Sequence, residues 1–395
     1  MIAARGNHLR KRRDGEHARV TYVELFFDLV FVFAVTQLSH GFLEHLTPFG
    51  ALQTALLMLA VWWAWFVTTW CANWLDPDKT AVRVLLFALM LLGLVFSTSI
   101  PKAFEQRAAA FALAYVAMQA VRDLFMLWAL RRHDSGNHVN FLRIGAWHLL
   151  SAPFWIGGIF VEGPARFALW ALAVVIENIG PLAGFRTPGL GRSTTTDWTI
   201  EGGHMAERCA LFVIIALGES ILITGATFSG LVWSADNVAA FVVAFGGSVA
   251  MWVVYFNIGA ERASRHVAAS DDPGRLARSG YTYLHILIIA GIIVTAAGDE
   301  IVLDHASGHM EWTIAAVLAG GPALYLAGNA LFKRLTAPHL PLSHLVGLGL
   351  LAIAFSASSL MTPLHLSAAT TGVLIVVALW ERLSLGPQTA HASHA

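Results

Sequence analysis

The sequence predicts an all-α polytopic membrane protein with about twelve transmembrane helices. Hydrophobic residues make up 57% of the chain and charged residues only 13%, against about 45–50% and 25% in soluble domains. The apolar residues occur in runs of about 20, the length that a helix needs to cross a bilayer. Lys and Arg alternate between dense and sparse in successive connecting segments, as expected of a membrane protein.

Turn-forming residues separate the apolar runs and define the helices one by one. The clearest breaks are Asp76-Pro77-Asp78, His133-Asp134-Ser135-Gly136-Asn137, Pro188-Gly189-Leu190-Gly191, Asp271-Asp272-Pro273-Gly274 and Pro338-His339-Leu340-Pro341. The predicted helices are centred near residues 33, 60, 90, 116, 150, 174, 213, 246, 289, 322, 350 and 374. Cys71 and Cys209 fall in or beside these runs and are expected to pack as small hydrophobic residues.

The distribution of Lys and Arg predicts the topology. With a cytoplasmic N-terminus, 20 of the 25 Lys and Arg residues fall in cytoplasmic segments, and one missed helix would destroy this alternation. Both termini are therefore expected in the cytoplasm. The basic run Arg10–Arg13 is interpreted as a topology anchor, and a chain with zero net charge is not expected to bind nucleic acid.

The two halves of the sequence resemble each other in order. In the first helix, Glu24 is followed by a Val/Phe run that ends at Thr36-Gln37, and in the seventh, Glu207 is followed by a Val/Ile run that ends at Glu219-Ser220. This predicts two parallel six-helix repeats, as in many secondary transporters. The predicted parts are a basic cytoplasmic segment (1–20), a first membrane half (21–185), a cytoplasmic linker (186–200), a second membrane half (201–384) and a flexible tail (385–395).

Two carboxylates lie one turn apart in the first helix. Glu24 and Asp28 differ by about 40° around the helix axis, so they share a face. An acid in hydrocarbon costs at least about 2.5 kcal/mol, and two close carboxylates cannot both ionise cheaply in a low dielectric. Either they form a cation or proton site, or Arg or Trp partners on neighbouring helices hold them as structural residues.

The seventh helix carries a stripe of ionisable residues from Glu201 to Glu219. His204, Glu207 and Arg208 fall on the same face, opposite an aliphatic one. Because lipid cannot face this stripe, it lines a water-accessible path or is neutralised by neighbouring helices. The predicted ion, proton or substrate site comprises Glu24, Asp28, His204, Glu207, Arg208, Glu219 and Ser220.

Other polar and aromatic residues are weaker candidates. Arg122 and Asp123, with Gln119 one turn earlier, are expected to pair locally or to offset a deep acid. The Trp-rich segment Trp62–Trp70 is interpreted as an aromatic belt at the membrane interface, with a substrate-stacking wall as the alternative. Asp299-Glu300 is expected to be solvated at the outer end of the ninth helix.

No motif indicates an enzyme. The sequence contains no Walker A loop, no dinucleotide fingerprint, no nucleophile elbow and no His-Glu-x-x-His zinc motif. The pair His204 and Glu207 supplies half of a metal site without a second half in the sequence. Neither catalysis nor a metal nor another cofactor is therefore expected.

Two sequence patterns carry a family resemblance. Glu24-Leu25-Phe26-Phe27-Asp28 in the first helix, with His204-Met205-Ala206-Glu207-Arg208 and Gly218-Glu219-Ser220 in the seventh, resembles the bacterial low temperature requirement protein A family. The resemblance covers nearly the whole chain. It implies a multi-pass protein of the bacterial inner membrane, connected with growth in the cold, whose family pattern includes Glu24, Asp28, Glu207, Arg208, Glu219 and Ser220.

These observations lead to three functional hypotheses. The first is a secondary transporter or proton/cation-coupled permease, in which the acids bind the ion and Arg208 is the counter-charge. The second is a non-transporting membrane or lipid-adaptation protein whose charges only hold helices together. The third is a membrane-embedded enzyme with acid–base carboxylates. The expected partners are membrane lipids, a proton or cation and a small amphipathic solute.

Overall fold

In the computed structural model, the protein is built from α-helices. The structure describes residues 7–10, 19–194, 197–198, 200–256, 277–335 and 339–385. Within these residues there are twelve α-helices and no β-strand longer than an isolated bridge. The predicted all-α architecture is therefore confirmed.

The helices follow the predicted order, and each predicted centre lies inside one helix. Their bounds are α1 Tyr22–Glu44, α2 Pro48–Trp74, α3 Thr80–Ser99, α4 Ala108–Leu130, α5 Ser135–Gly157, α6 Gly163–Leu182, α7 Gly202–Ser229, α8 Ala235–Phe256, α9 His285–Asp304, α10 Trp312–Arg334, α11 Leu342–Ser356 and α12 Pro363–Leu385. A short π-helix, Ala277–Leu284, leads into α9.

Ten of these helices, counted over the described residues, are long and apolar enough to cross a membrane. The other two are α5, whose first turns carry Asn137, Asn140 and Arg143, and α11, which is apolar but has only 15 residues. Both precede a 3₁₀ turn, Gly158–Phe160 after α5 and Ser358–Leu360 after α11. That all twelve helices cross the membrane stays a prediction.

The described residues form two compact units. The first contains residues up to Gly41 and Pro48–Arg208, and the second contains Phe42–Thr47 and the described residues from Cys209 onward. In the first unit α3 packs on α4, α4 on α5, α5 on α6, and α2 on α4 and α6. In the second unit the corresponding helices, six places later in the chain, make the same contacts: α9 packs on α10, α10 on α11, α11 on α12, and α8 on α10 and α12. This shared order favours the tandem repeat, whose boundaries stay a prediction.

Small residues allow α9 and α10 to pack closely in the second unit. A Cβ on Gly291 would collide with the backbone of Tyr325, and a Cβ on Gly321 would lie 2.6 Å from Thr295 Oγ1. Small residues at such contacts let two helix backbones approach, which favours helix association inside a membrane.

The Trp-rich end of α2 lies inside the first unit. Trp62, Trp63 and Trp65 are buried, and the Trp62 and Trp65 rings pack 5.1 Å apart. The interpretation of this segment as an interfacial belt is therefore wrong for these three side chains. An α2 surrounded by other helices buries its aromatic residues for packing. Cys71 and Cys209 are buried and are not part of a disulfide.

Candidate functional site

Glu24 closes the N-terminus of α1. The backbone N–H and the hydroxyl of Thr21 each donate to Glu24 Oε2 at 2.8 Å. A Thr followed three residues later by a Glu is the capping-box pattern, which satisfies backbone donors that a helix start leaves free. Glu24, the first acid of the predicted site, therefore also stabilises the start of α1.

Two cationic or polar groups then surround the same carboxylate. Arg10 Nη2 donates to both Glu24 oxygens, at 3.0 and 3.1 Å. His204 Nε2 lies 2.8 Å from Glu24 Oε1, and Asn73 Nδ2 lies 3.3 Å from His204 Nδ1. Arg10 Nε also donates to the carbonyl of Leu75 just after α2. Glu24 is thus neutralised and joins the N-terminal segment to α1, α2 and α7.

Asp28 has a second, deeper set of partners. Arg208 Nη2 donates to Asp28 Oδ1 at 2.7 Å, and Trp65 Nε1 donates to the same oxygen at 2.8 Å. Arg208 Nη2 also reaches Thr69 Oγ1 at 3.2 Å, and its guanidinium carbon lies 5.6 Å from the centre of a Trp65 ring. The sequence-based alternative of acids held by Arg and Trp partners describes this geometry.

The Asp28–Arg208 pair is incompletely hydrogen-bonded. Asp28 Oδ2 and Arg208 Nε and Nη1 are buried and have no hydrogen-bond partner in the described part of the chain. A bidentate Arg–carboxylate pair would satisfy the second oxygen and a second nitrogen. Because unmet buried polar atoms are costly, this place offers both a donor and an acceptor to a water or a solute.

The start of α7 is fixed by its own acid. Glu201 lies directly before the helix, and its carboxylate accepts from the backbone N–H of His204 at 2.6 Å. The Glu201 backbone N–H donates to Asn73 Oδ1 at 3.0 Å. Glu207 Oε2 accepts from the backbone N–H of Val20 at 3.2 Å. Glu201 is therefore a helix cap, and the predicted stripe starts at His204.

Glu177 in α6 is a buried acid that only neutral groups contact. Tyr115 donates its hydroxyl in a short hydrogen bond, Ser151 Oγ donates at 2.6 Å and Trp155 Nε1 at 3.0 Å. Gln119 Nε2 approaches at 3.4 Å. Within the described residues, Glu177 forms no ion pair, and neutral hydrogen-bond donors alone satisfy its carboxylate.

Asp299 in α9 is the corresponding case in the second unit. It is buried, and among the described residues its one hydrogen bond comes from Ser220 Oγ of α7, at 3.4 Å. Ser220 Oγ lies 3.1 Å from Ser248 Oγ of α8. Thr224, one turn after Ser220, has a buried hydroxyl with no partner in the same part of the chain. The three residues Ser220, Ser248 and Asp299 form what we call the α7–α9 oxygen cluster.

A third buried acid, Glu381 in α12, has a cation. Lys333 Nζ lies 2.7 and 2.9 Å from the two Glu381 oxygens, and His344 Nδ1 lies 3.4 Å from Glu381 Oε1. In the first unit, His148 Nδ1 lies 2.6 Å from Asp123 Oδ2. Lys333 thus neutralises Glu381, whereas Asp123 Oδ1 is buried and has no hydrogen-bond partner among the described residues.

The structure thus brings together only part of the predicted site. In the first unit, Glu24 contacts His204 and Asp28 contacts Arg208, so two pairs join α1 to α7. Ser220 lies about three turns further along α7, in the α7–α9 oxygen cluster of the second unit, and Glu219 beside it is buried. The assignment of these seven residues to ion, proton or substrate binding stays a prediction.

Sequence reasoning missed two features of these sites. Asp299 was expected to be solvated, yet only 5% of it is exposed, because the helix continues past it to Asp304. The two adjacent acids Asp299 and Glu300 made this part of the apolar segment look like its solvated end in the sequence. The capping role of Glu24 could have been found from the spacing of Thr21 and Glu24 alone.

The α7–α9 oxygen cluster presents one carboxylate and two hydroxyl groups. No group of three or more His, Cys, Asp or Glu side chains that could hold a metal ion occurs in the described ranges. Carboxylates and hydroxyls on different helices, as in the α7–α9 oxygen cluster, are ligands suited to a proton or a hard cation.

Ten apolar spans with acids and arginines buried among them define a multi-pass membrane protein. The chain belongs to the bacterial low temperature requirement A protein (LtrA) family, whose model matches residues 19–379. It is also similar to an uncharacterized protein, RA0937, of Rhizobium meliloti (strain 1021), with 39% identity over 385 residues that cover 97% of this chain and 94% of the relative. No solved structure matches the chain. The resemblance inferred from the sequence is confirmed.

Proposed function

We propose that the protein is a secondary transporter, a proton- or cation-coupled permease of the bacterial cytoplasmic membrane. The observation that carries the proposal is Asp299. It lies within a helix long enough to span the membrane, is buried, and receives only a serine hydroxyl among the described residues. Intramembrane acids without a cationic partner commonly mark ion pathways and proton relays.

The contrast with the other acids supports this choice. Asp28 is held by Arg208 and Glu381 by Lys333, so these carboxylates are neutralised by the protein itself. Burying an ionised carboxylate without such a partner costs several kcal/mol. Asp299 therefore needs a proton or an external cation, and an exchangeable ion is what coupled transport requires.

The spacing of the α7–α9 oxygen cluster suits a small cation. Its oxygen–oxygen separations of 3.1 and 3.4 Å exceed the usual range of about 2.5–3.0 Å for O–H···O hydrogen bonds. A cation with oxygen ligands at about 2.4 Å places neighbouring octahedral ligands about 3.4 Å apart. One carboxylate with neutral hydroxyls carries a single negative charge, which favours a monovalent cation such as Na⁺ or a proton.

The membrane orientation is also part of the proposal. The positive-inside distribution, with 20 of 25 Lys and Arg residues in alternate segments, supports cytoplasmic N- and C-termini. The proposal includes no catalytic step, and the expected partners are lipids, the coupling ion and a small solute.

A second function is favoured by the first unit. There Arg10 neutralises Glu24, which His204 also contacts, and Arg208 neutralises Asp28. These contacts suit a non-transporting membrane protein with a role in membrane or cold adaptation, in which intramembrane charges fasten helices. The two functions differ in what removal of the Asp299 charge does to ion flux.

The test uses the full-length protein reconstituted in liposomes. Proton flux is followed with an enclosed pH-sensitive dye, and Na⁺ flux by uptake of ²²Na⁺ against an unlabelled gradient. We expect flux of one ion in the parent and at least a tenfold loss in Asp299→Asn, which keeps the side-chain volume. Asp304→Asn is the matched control, because Asp304 is exposed at the end of the same helix. Equal flux in the parent and Asp299→Asn, or none above empty liposomes, would reject the proposal.

A further inference from the structure

Arg122 in α4 is a buried cation without a carboxylate partner. It is 0% exposed and lies within a helix long enough to span the membrane. Its Nη1 donates to Thr68 Oγ1 at 3.2 Å and lies 3.5 Å from the carbonyl oxygen of Ala64. Its Nε and Nη2 are buried and have no hydrogen-bond partner among the described residues. Two of the three guanidinium nitrogens therefore carry N–H groups without a hydrogen-bond acceptor in the described part of the chain.

Two buried acids of the same unit are engaged by other groups. Asp123, the next residue, is paired with His148 of α5. Glu177 is held by neutral groups, among them Gln119, which lies one turn before Arg122. Neither acid forms an ion pair with Arg122 in the part of the chain that the structure describes. A buried charge left without its partner is strongly destabilising.

A second arginine contacts α2 at the same level. Arg208 donates to Thr69, the residue after Thr68, and also has two buried nitrogens without partners in the described ranges. Consecutive helix residues differ by about 1.5 Å in height and about 100° in direction, so the two guanidinium groups contact neighbouring sides of α2. Among the described residues, Asp28 is the one carboxylate that forms an ion pair with either of them.

We infer that Arg122 of α4 and Arg208 of α7 bind a small oxyanion: a carboxylate, sulfate or phosphate group. Because both guanidinium groups contact α2, we call these two residues the arginine pair. Guanidinium groups match the oxygens of carboxylates and phosphates with parallel N–H donors, and the unmet nitrogens supply those donors. Only the further step, that this anion is the transported solute, rests on the proposed function.

Binding is measured without any transport. The full-length protein in detergent is heated in increasing sodium acetate, sodium sulfate or sodium phosphate, with sodium chloride used to hold ionic strength constant. A ligand that binds the folded state raises the melting temperature in a saturable way, whereas general salting effects of sulfate and phosphate do not saturate. We expect saturable stabilisation by at least one oxyanion. Stabilisation by acetate alone indicates that the site binds a carboxylate group. Stabilisation by sulfate or phosphate indicates that it binds an inorganic anion.

Variants assign the effect to the pair. Arg122→Gln should weaken oxyanion binding at least tenfold. Arg166→Gln is the control, because Arg166 is also buried but donates to the backbone carbonyls of Gly158 and Glu105, and it should bind the oxyanion as the parent does. If Arg122→Gln does not fold, Thr68→Val, which keeps the arginine and removes its hydroxyl contact, should weaken binding at least threefold.

Three results would overturn the inference. They are the absence of saturable stabilisation by all three oxyanions in the parent, equal affinity in the parent and Arg122→Gln, and, where only Thr68→Val folds, unchanged affinity in that variant. None of them depends on ion flux, so the oxyanion site and the proposed transport can fail separately.

Discussion

At the scale of single residues, the buried acids of this protein differ in what neutralises them. Arg208 balances Asp28 and Lys333 balances Glu381. Glu177 and Asp299 receive only neutral donors within the described residues. In a membrane interior, an acid paired with a cation can hold two helices together, whereas an acid without a cation is a candidate to bind a proton or an ion. The position of the cations therefore separates structural acids from candidate functional ones.

The fastening role of Asp28 gives a stability prediction. Asp28→Asn leaves Arg208 buried without its counter-charge, and we expect a loss of about 3–5 kcal/mol in the free energy of unfolding. Chemical denaturation of the protein in detergent measures the change. Replacing both partners, Asp28→Leu with Arg208→Met, should recover much of the loss because no charge is then buried.

An exposed ion pair provides the control for this prediction. Asp78 pairs with Arg83 at 3.1 Å, and 80% of the Asp78 side chain is exposed. Asp78→Asn should therefore change stability by less than about 1 kcal/mol. If Asp28→Asn were as mild as Asp78→Asn, Arg208 would have to be neutralised by something other than Asp28.

At the scale of helices, two adjacent glycines of α10 provide a matched test of the α9–α10 contact. A Cβ on Gly321 would lie 2.6 Å from Thr295 Oγ1 and 2.7 Å from its backbone nitrogen, whereas a Cβ on Gly320 would meet nothing within 4 Å. We expect Gly321→Ala to destabilise the protein by about 1–3 kcal/mol through overpacking. Gly320→Ala should be neutral or slightly stabilising, because Ala favours helix.

Melting temperatures of the two variants in the same detergent check this prediction. The comparison cancels the intrinsic helix preference of Ala, since both substitutions are made in one helix. Equal melting temperatures for Gly321→Ala and Gly320→Ala would mean that α9 and α10 do not approach as closely as the structure places them.

The positions of the helices could be predicted from the sequence, because a membrane helix satisfies its backbone hydrogen bonds internally and shows itself as one long apolar run. All twelve predicted centres lie in helices. The interfacial belt at Trp62 and Trp65 was a wrong prediction, since composition alone does not show which helices surround α2. The short length of α11 was also missed: the helix ends at Ser356, and a 3₁₀ turn follows it.

The site could be predicted only in part. The spacing of Glu24 and Asp28 revealed a shared face, and both are buried. Their partners, Arg10 and Arg208, are far away in sequence, so pairing depends on how helices pack and not on local pattern. Asp299 was missed for a different reason. A solvated acid at a helix end and a buried acid one turn inside the helix look alike in sequence.

At the scale of the whole molecule, corresponding helices of the two units share chemistry as well as packing order. The fifth helix of each set of six places a histidine beside a carboxylate. In α5 this is His148 with Asp123, and in α11 it is His344 with Glu381. Both helices precede a 3₁₀ turn. These parallels support the predicted tandem repeat of two parallel six-helix halves.

The repeat and the charge distribution predict a topology that reporter fusions can check. Alkaline phosphatase, active only outside the cytoplasm, should be active when fused after His309 or Leu360 and inactive after Arg334. A fluorescent protein fused after Leu385 should fold in the cytoplasm. Equal phosphatase activity after Arg334 and Leu360 would show that α11 does not cross the membrane and that the number of crossings is odd.

The most direct test of the account measures ion flux and unfolding together in two acid variants. Asp299→Asn should abolish proton or Na⁺ flux in liposomes while changing the melting temperature little, because its charge has no partner among the described residues to lose. Asp28→Asn should lower the melting temperature by several degrees, because Arg208 loses its counter-charge. Normal flux in Asp299→Asn, together with a melting temperature as low as that of Asp28→Asn, would contradict the account.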